Sequence, residues 1–364
     1  MPKAIHVAFG LAFFLFALPA FGDTYRREDL RLPMAEAGPR GLETLFVRPA
    51  APGKYPLAII SHGSPRKASD KSGMTPNAYY PTALEFARRG FAVAVVMRRG
   101  YGGSGGNDVE RTHSCADPDY VTSGRNSAQD IRAAIKALSV RADVDATRIL
   151  AVGQSAGGFA TVALTADPPP GLVAAISFAG GRGSKGDFEV CNEARLAAAF
   201  QGFGKTSRVP MLWIYTANDR YFAPSLADKL HAAFTGAGGR AEFIRAPAFG
   251  KDGHQLFSGG IRLWTPMVDA FLAKQRLALS AATMDLPPLP DLQPPPQLSS
   301  RGREAFGNYL RAGTHKAFAV SSDGHFGWRT GRRTVKEAID DALKSCQGGG
   351  KDCRVMFVDD AAAR

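Results

Sequence analysis

Between residues 41 and 275, short apolar runs alternate with segments of helical period. The runs are YPLAIISHG, FAVAVVMRRG, TRILAVG, LVAAISFAGG, VPMLWIYTAND and AEFIRAP. Each is continuous and rich in Val, Ile and aromatic residues, which predicts strands buried on both faces. Between them, YYPTALEFARRG and RNSAQDIRAAIKAL have helical spacing; in the second, Ile131, Ala134, Ile135 and Leu138 share one face and the charges take the other. This alternation predicts an α/β fold, a doubly wound and mainly parallel sheet with helices on both faces. Two connections, from Tyr101 to about Gly124 and from Gly181 to about Ser207, are too long for simple crossovers. They are expected to cover the ligand end of the strands.

The pattern changes after residue 280. MDLPPLPDLQPPPQLSS is dense enough in proline to predict an extended spacer over residues 281–300. Residues 301–364 then read as a small α+β unit: a strand or hairpin in KAFAVSSDGHFGWRTG, a helix in TVKEAIDDALKSC and a strand in CRVMFVDD. At the other end, residues 1–22 carry Lys3, an apolar stretch from Val7 to Leu18, and small residues at Ala20 and Gly22. This reads as a secretory signal peptide, leaving a main domain over residues 23–280. About a dozen apolar residues are too few to span a membrane, and no later stretch has that character.

Export to the periplasm or beyond changes the meaning of the four cysteines, because an oxidising compartment permits disulfides. Three connectivities are open. The pairing Cys346 with Cys353, closing the glycine-rich loop CQGGGKDC, is favoured together with Cys115 and Cys191, which lie one in each long connection. On the chain-entropy model the short loop contributes about 2.5 kcal/mol and the long one about 4.5 kcal/mol. Zinc-type spacing is lacking, and no metal or cofactor is expected. The net charge of +12 favours an anionic envelope surface or an acidic polysaccharide as neighbour. Basic residues are scattered rather than clustered, which argues against nucleic acid.

The chemistry centres on ILAVGQSAGG. A G-x-S-x-G pattern arises by chance about 0.3 times in a chain of this glycine content, so the pattern alone carries little. Here a strand precedes Ser155 and a small-residue helix follows it, the context of a nucleophile elbow, with Gly153 and Gly157 where a tight turn excludes side chains. Asp219 ends the strand MLWIYTAND, and His254 follows the last strand in FGKDGHQLF, completing the order Ser, Asp, His. His62 and His113 precede the serine, His231 falls in a helix, and His315 and His325 lie in the small unit. The backbone N–H of Ala156 and that of Ser64, in SHGS, are the candidate oxyanion donors. Tyr101 is a candidate for the pocket wall or a further hydroxyl donor, and His62 for organising its loop.

SHGS, RRGYGGSGG, DATRILAVGQSAGG, ANDR and DGHQLF together resemble the dienelactone hydrolase and prolyl-oligopeptidase-related branch of the α/β-hydrolase superfamily, over about residues 41–275. The resemblance implies a hydrolase. Dienelactone hydrolases carry a cysteine where Ser155 stands, which argues against dienelactone as substrate. The residues before the first strand are too few for the propeller of the prolyl-oligopeptidase relatives. The C-terminal unit loosely resembles small modules on secreted bacterial proteins, with no chemistry implied. The expectation is a secreted serine hydrolase cleaving small-molecule or polysaccharide-linked carboxylic esters through an acyl-enzyme on Ser155. The alternatives are a non-catalytic binding protein for anionic envelope or polysaccharide, and a serine peptidase or amidase.

Overall fold

The computed structural model describes residues 24–277 and 283–363, so the expected signal peptide over residues 1–22 lies outside the described residues. The large unit opens with β1 (Tyr25–Leu32) and β2 (Leu42–Pro49), then β3 (Tyr55–Ser61), α1 (Tyr80–Ala87), β4 (Ala92–Val96), α2 (Tyr120–Leu138), β5 (Val144–Gln154) and α3 (Ala156–Thr165). It continues through β6 (Leu172–Phe178), a ribbon of β7 (Ser184–Gly186) and β8 (Glu189–Val190), α4 (Glu193–Gly204), β9 (Met211–Thr216), α5 (Pro224–Gly236), β10 (Ala241–Ala246), α6 (Leu256–Gly259) and α7 (Ile261–Lys274). Eight strands form one sheet in the order β1-β2-β4-β3-β5-β6-β9-β10. The β1–β2 and β2–β4 pairs are antiparallel and the rest parallel.

All six apolar runs are strands of this sheet. For five of them the continuity has the expected cause: along β5, Ile149 and Ala151 join the core on one face while Leu150 and Val152 join the core on the other. Strand β10 departs from it, because at the edge of the sheet it leaves Glu242 and Arg245 exposed. The first core packs α2 to α5 around Phe159, Phe200 and Trp213, and the second packs α1 and α7 around Phe86, Phe178 and Trp264. The edge strand β1 and its neighbour β2 were not foreseen. Strand β1, YRREDLRL, is polar and partly exposed, so its membership is decided by pairing rather than by burial.

Both long connections are shorter than the sequence implies. Helix α2 begins at Tyr120 because Asp119 caps it, its Oδ1 accepting from the Thr122 N–H at 2.9 Å. The second connection contains the ribbon and α4, whose Leu196, Phe200 and Phe203 are buried. The Cys115–Cys191 disulfide joins the two connections, with Cα atoms 4.8 Å apart. Cys346 and Cys353 form the second disulfide.

The C-terminal unit comprises α8 (Ser300–Arg311), β11 (Ala317–Val320), β12 (Phe326–Arg329), α9 (Val335–Gln347), β13 (Arg354–Val358) and β14 (Ala361–Ala362). Its antiparallel sheet runs β12-β11-β13-β14. Helix α8 brings Phe306 and Tyr309 against Phe318 and Phe357 on one face, and α9 brings Ala338, Ala342 and Cys346 against Ala317 and Ala319 on the other. The unit sits directly on the large one. Thr75 Oγ1 donates to Gly331 O at 2.6 Å, Asn77 Nδ2 to Arg332 O at 3.0 Å, and Arg333 Nε pairs with Glu43 at 3.2 Å. A Cβ at Gly331 would lie 2.6 Å from Ala78 Cα, so glycine is required for this approach, where its φ is also +66°. The proline-rich stretch is tied down as well: Met284 N–H donates to Arg88 O and Tyr25 OH to Asp285 O. Among the described residues no helix is long and apolar enough to cross a membrane.

Candidate active site

Ser155 occupies the single residue between β5 and α3 and holds φ 56°, ψ −120°. An L-residue adopts this conformation only when its surroundings impose it, at a cost of about 1–3 kcal/mol. Two hydrogen bonds impose it here: Ser155 N–H donates to Phe178 O at 2.9 Å, and Gly181 N–H to Ser155 O at 3.1 Å. The flanking glycines are sterically necessary. A Cβ on Gly153 would meet Gly157 O at 2.2 Å, and one on Gly157 would meet Ser61 O at 2.0 Å.

Asp219 is fully buried just past β9. Its Oδ1 accepts the N–H groups of Tyr221 and Phe222, each at 2.8 Å, which fixes the carboxylate. His254 sits on a short 3-10 turn, Gly253–Gln255, whose leading Asp252 caps the His254 N–H at 3.0 Å. Gly253 lets this turn close on β9, since a Cβ there would lie 1.8 Å from Thr216 Oγ1. His254 Nδ1 is 3.0 Å from Asp219 Oδ2, so with Nδ1–H donating, Nε2 is left as the basic nitrogen. The imidazole is sandwiched: Tyr221 stacks on it with centroids 3.9 Å apart, and the edge of Phe222 approaches to 5.7 Å.

Two cavities meet at Ser155. One, of about 500 Å³, is bounded by Ala156, Tyr101, Arg66 and Arg182. The other, of about 800 Å³, is bounded by His254, Gln154 and residues of the C-terminal unit. Ser64 lines both. Ala156 is the first residue of α3, whose leading amides have no acceptor within the helix. Tyr101 lines the first cavity, but its hydroxyl donates to Glu110 at 2.8 Å and lies 2.9 Å from Ser64 Oγ. Burial and the Glu110 charge raise the Tyr101 pKa, so the phenol stays protonated.

Behind Tyr101 lies an ionic cluster that the sequence reading missed. Glu110 is enclosed by Arg98, by Arg182 Nη2 at 3.0 Å and by Ser127 Oγ at 2.8 Å. Burial alone would raise its pKa, yet the Arg182 and Arg98 charges hold it well below the usual carboxylate range. Because Glu110 belongs to the first long connection and Arg182 to the second, this cluster joins the two segments from inside while the disulfide joins them from outside. Its signal in the sequence is the paired Arg98 and Arg99 ending a buried strand, since charges there demand partners. His62 organises its loop, with Nδ1 donating to Gly63 O at 2.6 Å and Nε2 accepting the Arg98 N–H at 3.0 Å. Burial and then the Arg98 charge push its pKa well below 6.5, so it stays neutral.

Residues 40–206 match the family described as X-Pro dipeptidyl-peptidase (S15 family). No curated protein matches the sequence. Among solved structures, the acylaminoacyl peptidase of Pyrococcus horikoshii superposes with a TM-score of 0.50 at 16% identity, over 72% of this chain and 43% of that one. The fold is that of the α/β-hydrolases. A puromycin-hydrolyzing peptidase of Mycobacterium tuberculosis aligns at TM-score 0.49 and 19% identity, over 75% of this chain and 43% of its own. A putative dienelactone hydrolase of Klebsiella pneumoniae aligns at TM-score 0.47 and 15% identity, over 70% and 99%. The chain thus spans less than half of the two peptidase chains and nearly all of the third.

Proposed function

We propose that this hydrolase cleaves carboxylic esters through an acyl-enzyme on Ser155. One observation carries the reading: His254, oriented by Asp219 at 3.0 Å, bounds the same cavity as Ser155, whose backbone is held at positive φ. His254 Nε2 takes the Ser155 proton as Oγ attacks the carbonyl carbon. The tetrahedral oxyanion is met by the N–H groups of Ala156 and Ser64, and Asp219 stabilises the imidazolium. His254 then returns the proton to the leaving alcohol. Water repeats the sequence on the acyl-enzyme, releasing the acid and restoring Ser155.

The family match over residues 40–206 favours a second reading, hydrolysis of a peptide bond by the same residues. A fluorophosphonate probe separates catalysis from a silent fold: it should label the wild type and not Ser155→Ala, and equal labelling of both would refute the assignment. Comparing 4-nitrophenyl acetate with an X-Pro 4-nitroanilide separates the two chemistries. Faster turnover of the anilide would replace the ester reading by the peptidase one. Two disulfides support export to the periplasm or beyond, and the charge of +12 supports an anionic envelope or polysaccharide nearby.

A further inference from the structure

The two cavities at Ser155 are chemically distinct, and the proposed reaction assigns a role to each. A leaving group must lie where His254 can protonate it, so it occupies the cavity that His254 bounds. The acyl group then lies in the other, beside Ala156 and Tyr101. The leaving-group cavity takes one side of its wall from the C-terminal unit: Arg332, Arg333, Glu337, Asp340 and Asp341. Glu337, Asp340 and Asp341 lie in the first two turns of α9. Arg332 and Arg333 precede that helix, in the stretch whose hydrogen bonds to Thr75, Asn77 and Glu43 fix the unit in place.

The wall carries many charges, and most of them are paired, with carboxylates outnumbering cations. Asp341 pairs with Arg332 at 2.7 Å, Asp340 with Lys336 at 2.6 Å and Arg333 with Glu43 at 3.2 Å, while Glu337 accepts the Arg333 N–H at 3.1 Å. A strongly cationic or anionic leaving group would have to compete with these pairs. An alkyl alcohol would cover them without replacing their water, leaving polar groups unsatisfied. A neutral group with many hydroxyls satisfies both lone pairs and N–H groups, and Tyr79 on the large-unit side adds an aromatic ring to the same cavity.

We infer that the C-terminal unit is the leaving-group wall of this site, and that it selects a hydroxyl-rich alcohol, a sugar or comparable polyol. The inference rests on the ester reading above. Its test compares two acetates of primary alcohols, 6-O-acetylglucose and hexyl acetate, on the full-length protein, with fluorophosphonate labelling as an independent readout of Ser155. The expected kcat/KM for the sugar acetate exceeds that for hexyl acetate by about ten-fold or more. In Glu337→Ala/Asp340→Ala, whose side chains are exposed and carry no core packing, that ratio falls at least about five-fold through KM. A ratio favouring hexyl acetate, or one the double variant leaves unaltered, overturns the inference while labelling of Ser155 leaves the ester reading standing. Absence of labelling in the wild type overturns both.

Discussion

Tyr221 lies flat against the imidazole of His254, the two planes 11° from parallel, and the guanidinium of Arg66 covers the outer face of Tyr221 at 3.7 Å. Arg66 is itself held by Asp187 at 3.0 Å and by Gly186 O at 2.8 Å, so the stack ties the second long connection to the proposed base. Asp219 fixes one nitrogen of the ring, and Tyr221 fixes the plane in which the other points. Tyr221→Ala is therefore expected to lower kcat on a short ester by about ten-fold or more, since small misplacements of a reacting group are costly. Tyr221→Phe, which keeps the stacking face, should restore most of it. Equal losses in both variants would show that the hydroxyl rather than the ring matters.

Removing the partners of Ser155 should cost far more than removing its support. Asp219→Asn keeps the shape of the site but reverses the preferred tautomer of His254, and a loss of about 10⁴-fold in kcat is expected. His254→Ala should reach a similar level. Combining it with Ser155→Ala should add little, because residues acting as one unit are not additive. Steady-state kinetics on 4-nitrophenyl acetate measures all three.

The two bonds joining the long connections can be tested by stability. Replacing Cys115 and Cys191 by serine opens a loop whose ends are 76 residues apart, a loss of up to about 4.5 kcal/mol on the chain-entropy model. Urea unfolding of Cys115→Ser/Cys191→Ser against the wild type measures it. An unchanged midpoint would mean that the Glu110 cluster alone holds the segments together.

Two buried carboxylates give the stability opposite slopes with pH. Glu110 has its folded pKa depressed below the unfolded value near 4.5, so its contribution is present above that pH and is lost as pH falls. Asp130 is the reverse. Burial raises its folded pKa to about 6 against the opposing hydrogen bonds and charge of Arg99, so its contribution is present below about pH 4 and is lost as pH rises through 6. Urea unfolding between pH 3 and 7 should show a shallower acid limb in Glu110→Gln. That variant is also expected to lose about 3–5 kcal/mol at neutral pH, because Arg98 and Arg182 lose their partner. Asp130→Asn should remove the decline between pH 4 and 6.

Most of the sheet was legible in the sequence because a strand buried on both faces leaves an unbroken apolar run. Ser155 and Asp219 were legible as candidates because each follows the C-terminal end of such a run, and His254 because it lies in the loop after the last strand. What escaped was decided by partners distant in sequence. Strand β1 is polar and becomes a strand only by pairing with β2. Helix α4 is half alanine and glycine around a few buried side chains, and α8 follows closely on a proline-rich stretch. Glu110 looks like one of many surface acids until Arg98, near in sequence, and Arg182, far from it, converge on its carboxylate. The reading of residues 281–300 as an extended spacer is similarly local: proline content describes stiffness, and says nothing of the Arg88 and Tyr25 contacts that anchor the stretch.

Because Arg332, Arg333 and α9 finish a cavity whose base is Ser155, the order of synthesis matters to the chemistry. The elbow, Asp219 and His254 are all made before the wall that completes their cleft. A chain still emerging, or one clipped between the two units, would expose the proposed nucleophile to alcohols and esters of any shape. On the proposed reading, selectivity for the leaving group therefore depends on the C-terminal unit being in place.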